Sequence, residues 1–312
     1  MARIPRARHL AATARSALAG VLVRAAGGER ASAIALEHLV LERFYNDSTG
    51  RAYGVDRKAK AELAVGFQTI TQQIPRGTSW LYHVYLATEI LNIPSSMSGA
   101  VIECGCWKGA STASLSLVCE KVGRKLIVCD SFEGLPDDES GVVHRYPHVG
   151  VFGYYKSGMY TGRLEEVRDN LARFGALQVC QFIPGFFSNS LKNLADPIAF
   201  AFLDVDLASS LRDCLRYIWP LLIDGGVIYT DDSCDMEAVQ VWFDQVWWQR
   251  ELHVSAPGYV GSGCGLPLSP NYSSLGYARK DLNPERTYGR VSWLYYPDAS
   301  STGDQFPPET AG

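Results

Sequence analysis

The chain has 312 residues, 47% of them hydrophobic and 20% charged, the composition of an ordinary globular protein with room for a large core. A formal net charge of −4, with no basic stripe interleaved with aromatics, argues against nucleic acid as the main partner. No apolar run approaches the roughly 20 residues that cross a bilayer, so no membrane span is expected.

Residues 1–30 are rich in Arg and Ala with one acid, Glu29, and read as a basic, flexible N-terminus. The short apolar stretch Ala17 to Val23 is followed by Arg24, which interrupts the cleavage region of a leader peptide, so a loosely attached helix is expected. Residues 31–98 read as a helical lid or dimer segment. Its first part, 33–70, is broken by turn formers between Asn46 and Gly54. A second helix runs from Ser79 to Leu91, between Pro75-Arg76-Gly77 and Pro94.

Residues 99–298 alternate apolar strand runs with helical patterns. Strands are expected over Ala100–Cys104, Lys125–Cys129, Gln178–Ile183, Ile198–Leu203 and Val227–Thr230. Helices fit Ser111–Val122, Leu164–Phe174, Leu207–Leu222 and Met236–Trp248. This alternation predicts an α/β fold with a doubly wound, mostly parallel sheet. Two late runs, His253–Ala256 and Arg290–Tyr296, are expected to close it as an antiparallel hairpin, making seven strands. Gly258–Arg286 reads as a long loop, and 299–312 as a disordered tail.

Two acid clusters end apolar runs: Asp204 and Asp206 in FLDVDLASS, and Asp231 and Asp232 in GGVIYTDDS. The helix between them makes a right-handed crossover, so both clusters fall at carboxyl ends of parallel strands, where open α/β sheets bind ligands. A lone Asp after a strand is often a helix cap, and Asp206 ahead of Leu207-Ala208 fits that reading. Two clusters on one edge favour a shared cation, and hard oxygen ligands suit Mg²⁺, Ca²⁺ or Mn²⁺.

At the start of the α/β region, VIECGCWKGAS places Glu103, Gly105 and Gly109 in an E-x-G-x-x-x-G turn opening a helix. Gly105 permits the tight turn, and Gly109 is expected to let a ligand approach the backbone. The G-x-G-x-x-G spacing of dinucleotide sites is missing. The next strand ends on Asp130, placed to accept hydrogen bonds from a ribose diol.

The ordered set ECGCWKGAS, VCDSFEGLPDD, LEEVRDNLARFG, FIPGFFSNSL, FLDVDLASS and GGVIYTDD resembles the macrocin-type O-methyltransferases of natural-product sugar tailoring. The resemblance covers residues 100–245. It implies a class I methyltransferase fold and a Mg²⁺-dependent transfer from S-adenosyl-L-methionine to a sugar hydroxyl of a small glycoside. By motif position it implies metal ligands at Asp204, Asp231 and Asp232. It also implies a cofactor site at Glu103, Gly105, Trp107, Gly109, Ser111, Asp130, Ser131 and Asp204, with Phe132 and Phe186 packing on adenine. The pattern departs from the family at Val205 and Ala208, in D-V-D-L-A for D-G-D-L-Y, and at Ser233 in place of a tyrosine.

Three residues are candidates for the base that takes the hydroxyl proton: His148 first, then Asp206 and His144. A phenol or glycolipid acceptor, a metal-dependent hydrolase and a non-catalytic nucleoside-binding protein are the competing readings. Eight cysteines without a CxxC pair are expected to be reduced in the cytoplasm. A homo-oligomer is expected.

Overall fold

The computed structural model describes residues 37–137, 145–146, 151–152, 154–263, 266 and 275–281. Helical residues 37–44 (α1) lead into α2 (Arg57–Gln73) and α3 (Trp80–Leu91). The α/β unit follows as β1 (Ala100–Cys104), α4 (Ala110–Val122), β2 (Leu126–Asp130), α5 (Leu164–Phe174) and β3 (Cys180–Pro184). It continues with a single turn α6 (Phe187–Ser190), β4 (Ile198–Leu203), α7 (Ala208–Leu221), β5 (Leu222–Thr230), α8 (Met236–Val241), α9 (Gln245–Leu252) and β6 (Gly276–Arg279).

The sheet runs β3-β2-β1-β4-β5-β6, parallel except for β6. Strand order reverses between β1 and β4, which opens a crevice at their carboxyl ends. The apolar runs of β1, β2 and β4 are buried along their whole length because helices cover both faces. Alternate residues face opposite ways. Val101, Val128, Phe200, Phe202 and Tyr229 pack in one layer with residues of α2, α3 and α4. Ile102, Ile127, Ala201, Leu203 and Ile228 pack in the other with α7, Trp242 and Trp248. Trp242, Trp247 and Trp248 are all buried, which settles them as core residues.

Buried cations tie the helical segment to the α/β unit and to itself. Arg124, at the end of α4, donates to the carbonyls of Gly99 and Met97, each at 2.6 Å. Lys60 is buried and donates to the Asn46 carbonyl at 2.7 Å.

The structure corrects the sequence reading in three places. Among the described residues the sheet has six strands. His253–Ala256 forms none of them, because His253 ends α9 in the left-handed conformation at φ 57°. The antiparallel strand is Gly276–Arg279, inside the segment read as a loop, while Arg290–Tyr296 lies outside the described residues. The expected helix Met236–Trp248 is two helices, and the Asp244 carboxylate caps the second by accepting from Trp247 N at 3.1 Å.

Candidate active site

A cavity of about 670 Å³ opens at the switch point. Its walls are the turns after β1, β2, β4 and β5, the loop 75–78 before α3, and the segment carrying Tyr154, Tyr155 and Tyr160.

Gly105 is required by geometry. Its φ is 82°, and a Cβ there would stand 1.7 Å from the Asp204 carbonyl oxygen, so the turns after β1 and β4 can touch only through a glycine. Gly109 has a different reason from the expected one. Its φ is 83°, and a Cβ would meet Val167 and Leu171 of α5 at 3.0 and 3.1 Å, so it serves helix packing and does not line the cavity.

Asp130 holds together the side of the crevice formed by the turns after β1 and β2. Its Oδ2 accepts from Cys106 N at 2.7 Å and Trp107 N at 3.2 Å, and its Oδ1 from Phe132 N at 2.7 Å. A carboxylate has about four acceptor positions, so room for roughly one more donor remains. Ser131 lines the cavity, but its hydroxyl is spent on its own turn, donating to the Gly134 carbonyl at 2.7 Å. Phe132 points into the core beside Phe182 and does not line the cavity, whereas Phe186 lines it and is 38% exposed. Trp107 and Ser111 also line it.

Glu103 stands behind this wall with no exposed surface. Burial pushes its carboxyl up to about 7, helped by the Asp130 charge and opposed by the neighbouring hydroxyls of Ser111 and Thr112. Neither of its oxygens has a partner of normal hydrogen-bond geometry among the described residues.

The acids converge on the other side. Single carboxylate oxygens of Asp204, Asp206 and Asp232 lie within 4.8 Å of one another. Asp231 lines the same cavity and carries a buried oxygen, Oδ1, without a partner. Burial raises Asp204 and Asp232 well above the usual carboxylate range, and their acidic neighbours raise them further. Burial and Asp206 push Asp231 up to about 7. Asp206 is not a helix cap. The N-cap of α7 is Leu207, and Asp206 sits in the left-handed region at φ 59° with its N–H donating to Asp232 Oδ2 at 3.2 Å. Unit charges 4 Å apart repel by roughly 4 kcal/mol at an effective dielectric near 20. Such a group either holds protons or holds a cation.

Three wall residues were invisible in the sequence. Tyr160 is left-handed at φ 58° and packs edge-on to Trp107, itself at φ 45°, with ring centroids 5.7 Å apart. Burial raises its hydroxyl, followed by the bond to Tyr154 and the charges of Asp206 and Asp204. With Tyr154 and Tyr155 it makes an aromatic wall over the acids. No periodicity marks these tyrosines, because their segment is irregular. His144 and His148 lie outside the described residues.

The sequence profile of the macrocin-O-methyltransferases (TylF) matches residues 38–256, well over half of the chain. The chain belongs to the macrocin-O-methyltransferase family. A curated relative from Streptomyces olivaceus, named as an 8-demethyl-8-(2,3-dimethoxy-alpha-L-rhamnosyl)-tetracenomycin-C 4'-O-methyltransferase, is 32% identical over 147 residues, 45% of this chain and 55% of that protein. Another, the demethyldecarbamoylnovobiocin O-methyltransferase of Streptomyces niveus, is 27% identical over 153 residues, again 45% and 55% of the two chains. The chain thus spans about half the length of the curated relatives it matches. Among solved structures, the O-methyltransferase NovP is similar with a TM-score of 0.46 and 18% identity, over 75% of this chain and 87% of that one. The family match takes in both acid clusters, the glycine turn and Asp130, and it begins at residue 38, inside the helical segment.

Proposed function

We propose that the chain transfers a methyl group from S-adenosyl-L-methionine to a hydroxyl of a sugar carried by a small molecule, with Mg²⁺ held by the acid cluster. The observation that carries this reading is the meeting, in one cavity, of the glycine turn and Asp130 with four aspartates from the ends of β4 and β5. The names of the two curated relatives support the reaction and the glycoside class of acceptor.

The donor set fits a divalent cation on its own chemistry. It is all carboxylate oxygen, mutually repelling, with an unpartnered buried oxygen on Asp231. The resemblance implies Asp204, Asp231 and Asp232 as ligands, while the trio whose carboxylate oxygens lie within 4.8 Å of one another contains Asp206 in place of Asp231. Asp204 and Asp232 are common to both sets and are the principal ligands in this account. When bound, the cofactor supplies an electrophilic methyl group and the cation a Lewis acid.

The chain's own residues do the rest. Gly105, Trp107 and Ser111 line the cofactor's side, and the remaining acceptor position of Asp130 takes a ribose hydroxyl. Phe186 offers an exposed ring to the adenine. Tyr154, Tyr155 and Tyr160 present flat apolar faces to the acceptor ring and exclude water from the acids. Holding both reactants in line supplies effective molarity. Asp206, which stands beside Asp204 and Asp232, is placed to take the acceptor's proton, with His148 and His144 the other two candidates for that role. Within this proposal the protein is a cytoplasmic homo-oligomer. The seven described cysteines are free, which supports a reducing compartment, and no described helix is long and apolar enough to cross a membrane.

The test is transfer of labelled methyl from S-adenosyl-L-methionine to a panel of rhamnosides and simple phenols, with Mg²⁺ and with EDTA. Label should enter the glycosides only when Mg²⁺ is present. Labelled phenols with untouched glycosides would replace the acceptor class, and equal transfer in EDTA would remove the metal.

A further inference from the structure

The loop 75–78 forms one wall of the cavity through Pro75, Arg76, Gly77 and Thr78. A buried histidine fastens it. His83, on α3, is 1% exposed; its Nε2 pairs with Thr78 Oγ1 at 3.0 Å and its Nδ1 with Ser114 Oγ at 2.8 Å. Burial, and to a smaller extent the Arg76 charge, pushes the imidazole down to about 3, so the ring is neutral at working pH. One ring nitrogen then donates and the other accepts, which suits two hydroxyl partners. Ser114 belongs to α4, the helix that opens from the glycine turn. The imidazole therefore pins the loop to the helix that carries Ala110 and Ser111 into the cavity.

Arg76 is the residue this arrangement presents. Its Nε donates to the Thr71 carbonyl at 2.7 Å, and its two terminal nitrogens have no partner among the described residues. It is the one cation among the described residues that line the cavity, against seven aspartates. The start of α4 adds a second source of positive potential. Its N-cap is Gly109, no side chain caps it, and the first-turn amides are orphan donors.

S-Adenosyl-L-methionine is cationic at its sulfonium and ammonium groups and anionic only at its α-carboxylate. The cationic groups suit a cavity rich in aspartate. The carboxylate is repelled by the aspartates and attracted by Arg76 and the start of α4. We propose that Arg76, held by the Thr78–His83–Ser114 link, is the recognition residue for the carboxylate of the cofactor's amino-acid end, acting with the uncapped start of α4. This rests on the cofactor reading above.

The experiment is calorimetric titration of the full chain with two ligands. S-Adenosylhomocysteine carries the amino-acid end, whereas 5′-methylthioadenosine shares the nucleoside and thioether but lacks it. Wild type should bind S-adenosylhomocysteine the more tightly. Arg76→Gln should weaken S-adenosylhomocysteine on the order of tenfold, the weight of one charge-assisted pair, and leave methylthioadenosine unchanged. Arg76→Lys should fall between, since it keeps the charge without the planar fork. Circular dichroism of each variant checks the fold. Equal weakening of both ligands, or of neither, would overturn the assignment while leaving the cofactor reading intact. Wild type binding neither ligand would overturn both.

Discussion

Asp130 and Glu103 show two ways in which a carboxylate next to a ligand site also serves the protein. Asp130 accepts three main-chain N–H groups, so it organises the turns after β1 and β2 without any ligand. Asp130→Ala strands those donors. We expect a loss of roughly 2–4 kcal/mol of stability in denaturant melts, alongside weaker binding of S-adenosylhomocysteine. A variant of wild-type stability would mean that the turns close without it. Glu103 is the reverse case, a buried acid with raised affinity for its proton. The native state holds that proton up to about pH 7, while the unfolded chain releases it near 4.5. Its contribution to stability is therefore complete below pH 4.5, declines as pH rises through 7, and is gone above. A shift of this size is worth roughly 3 kcal/mol. Glu103→Gln carries no such titration. Its stability relative to wild type should rise between pH 5 and 8, and a constant difference across that range would show that Glu103 is ionised throughout.

At the scale of elements, the sequence was legible where one force dominates. The fully buried strands β1, β2 and β4 are continuous apolar runs, and their helices carry plain periodicity, so their order and position were readable within a few residues. The acid clusters were readable because they end those runs. Less was readable where tertiary contact decides. β6, Gly276–Arg279, is a four-residue strand in a polar stretch, and it is a strand because β5 offers it an edge. The split between α8 and α9 depends on a cap at Asp244. Gly109 reads in the sequence as an opening for a ligand, but what it makes room for is the packing of α5, which no local pattern displays. Phe132 and Phe186 are alike in sequence and opposite in burial for the same reason. Gly105 supplies the sharpest test at this level. A methyl group there would overlap the Asp204 carbonyl, and the strained φ adds to the cost. Gly105→Ala should lose native structure or at least 3 kcal/mol of stability, as read by thermal melting. Near wild-type melting would mean that the two turns separate more easily than their packing suggests.

Taken whole, the molecule is built around an electrostatic conflict. Two core layers hold a rigid sheet, and the sheet brings four aspartates together in a half-buried cavity that excludes much of the water able to screen them. Three of them have raised affinity for protons as a result. Protons or a cation can relieve that repulsion, and the function proposed above rests on a cation joining the group. The central claim is therefore that this cluster is a divalent metal site. Calorimetric titration of chelator-treated protein with Mg²⁺ and Mn²⁺ at pH 8 tests it most directly. The account predicts one site per chain, with proton release on binding, and its loss in Asp232→Asn. Absence of binding heat at millimolar metal, together with an unchanged melting temperature, would contradict it.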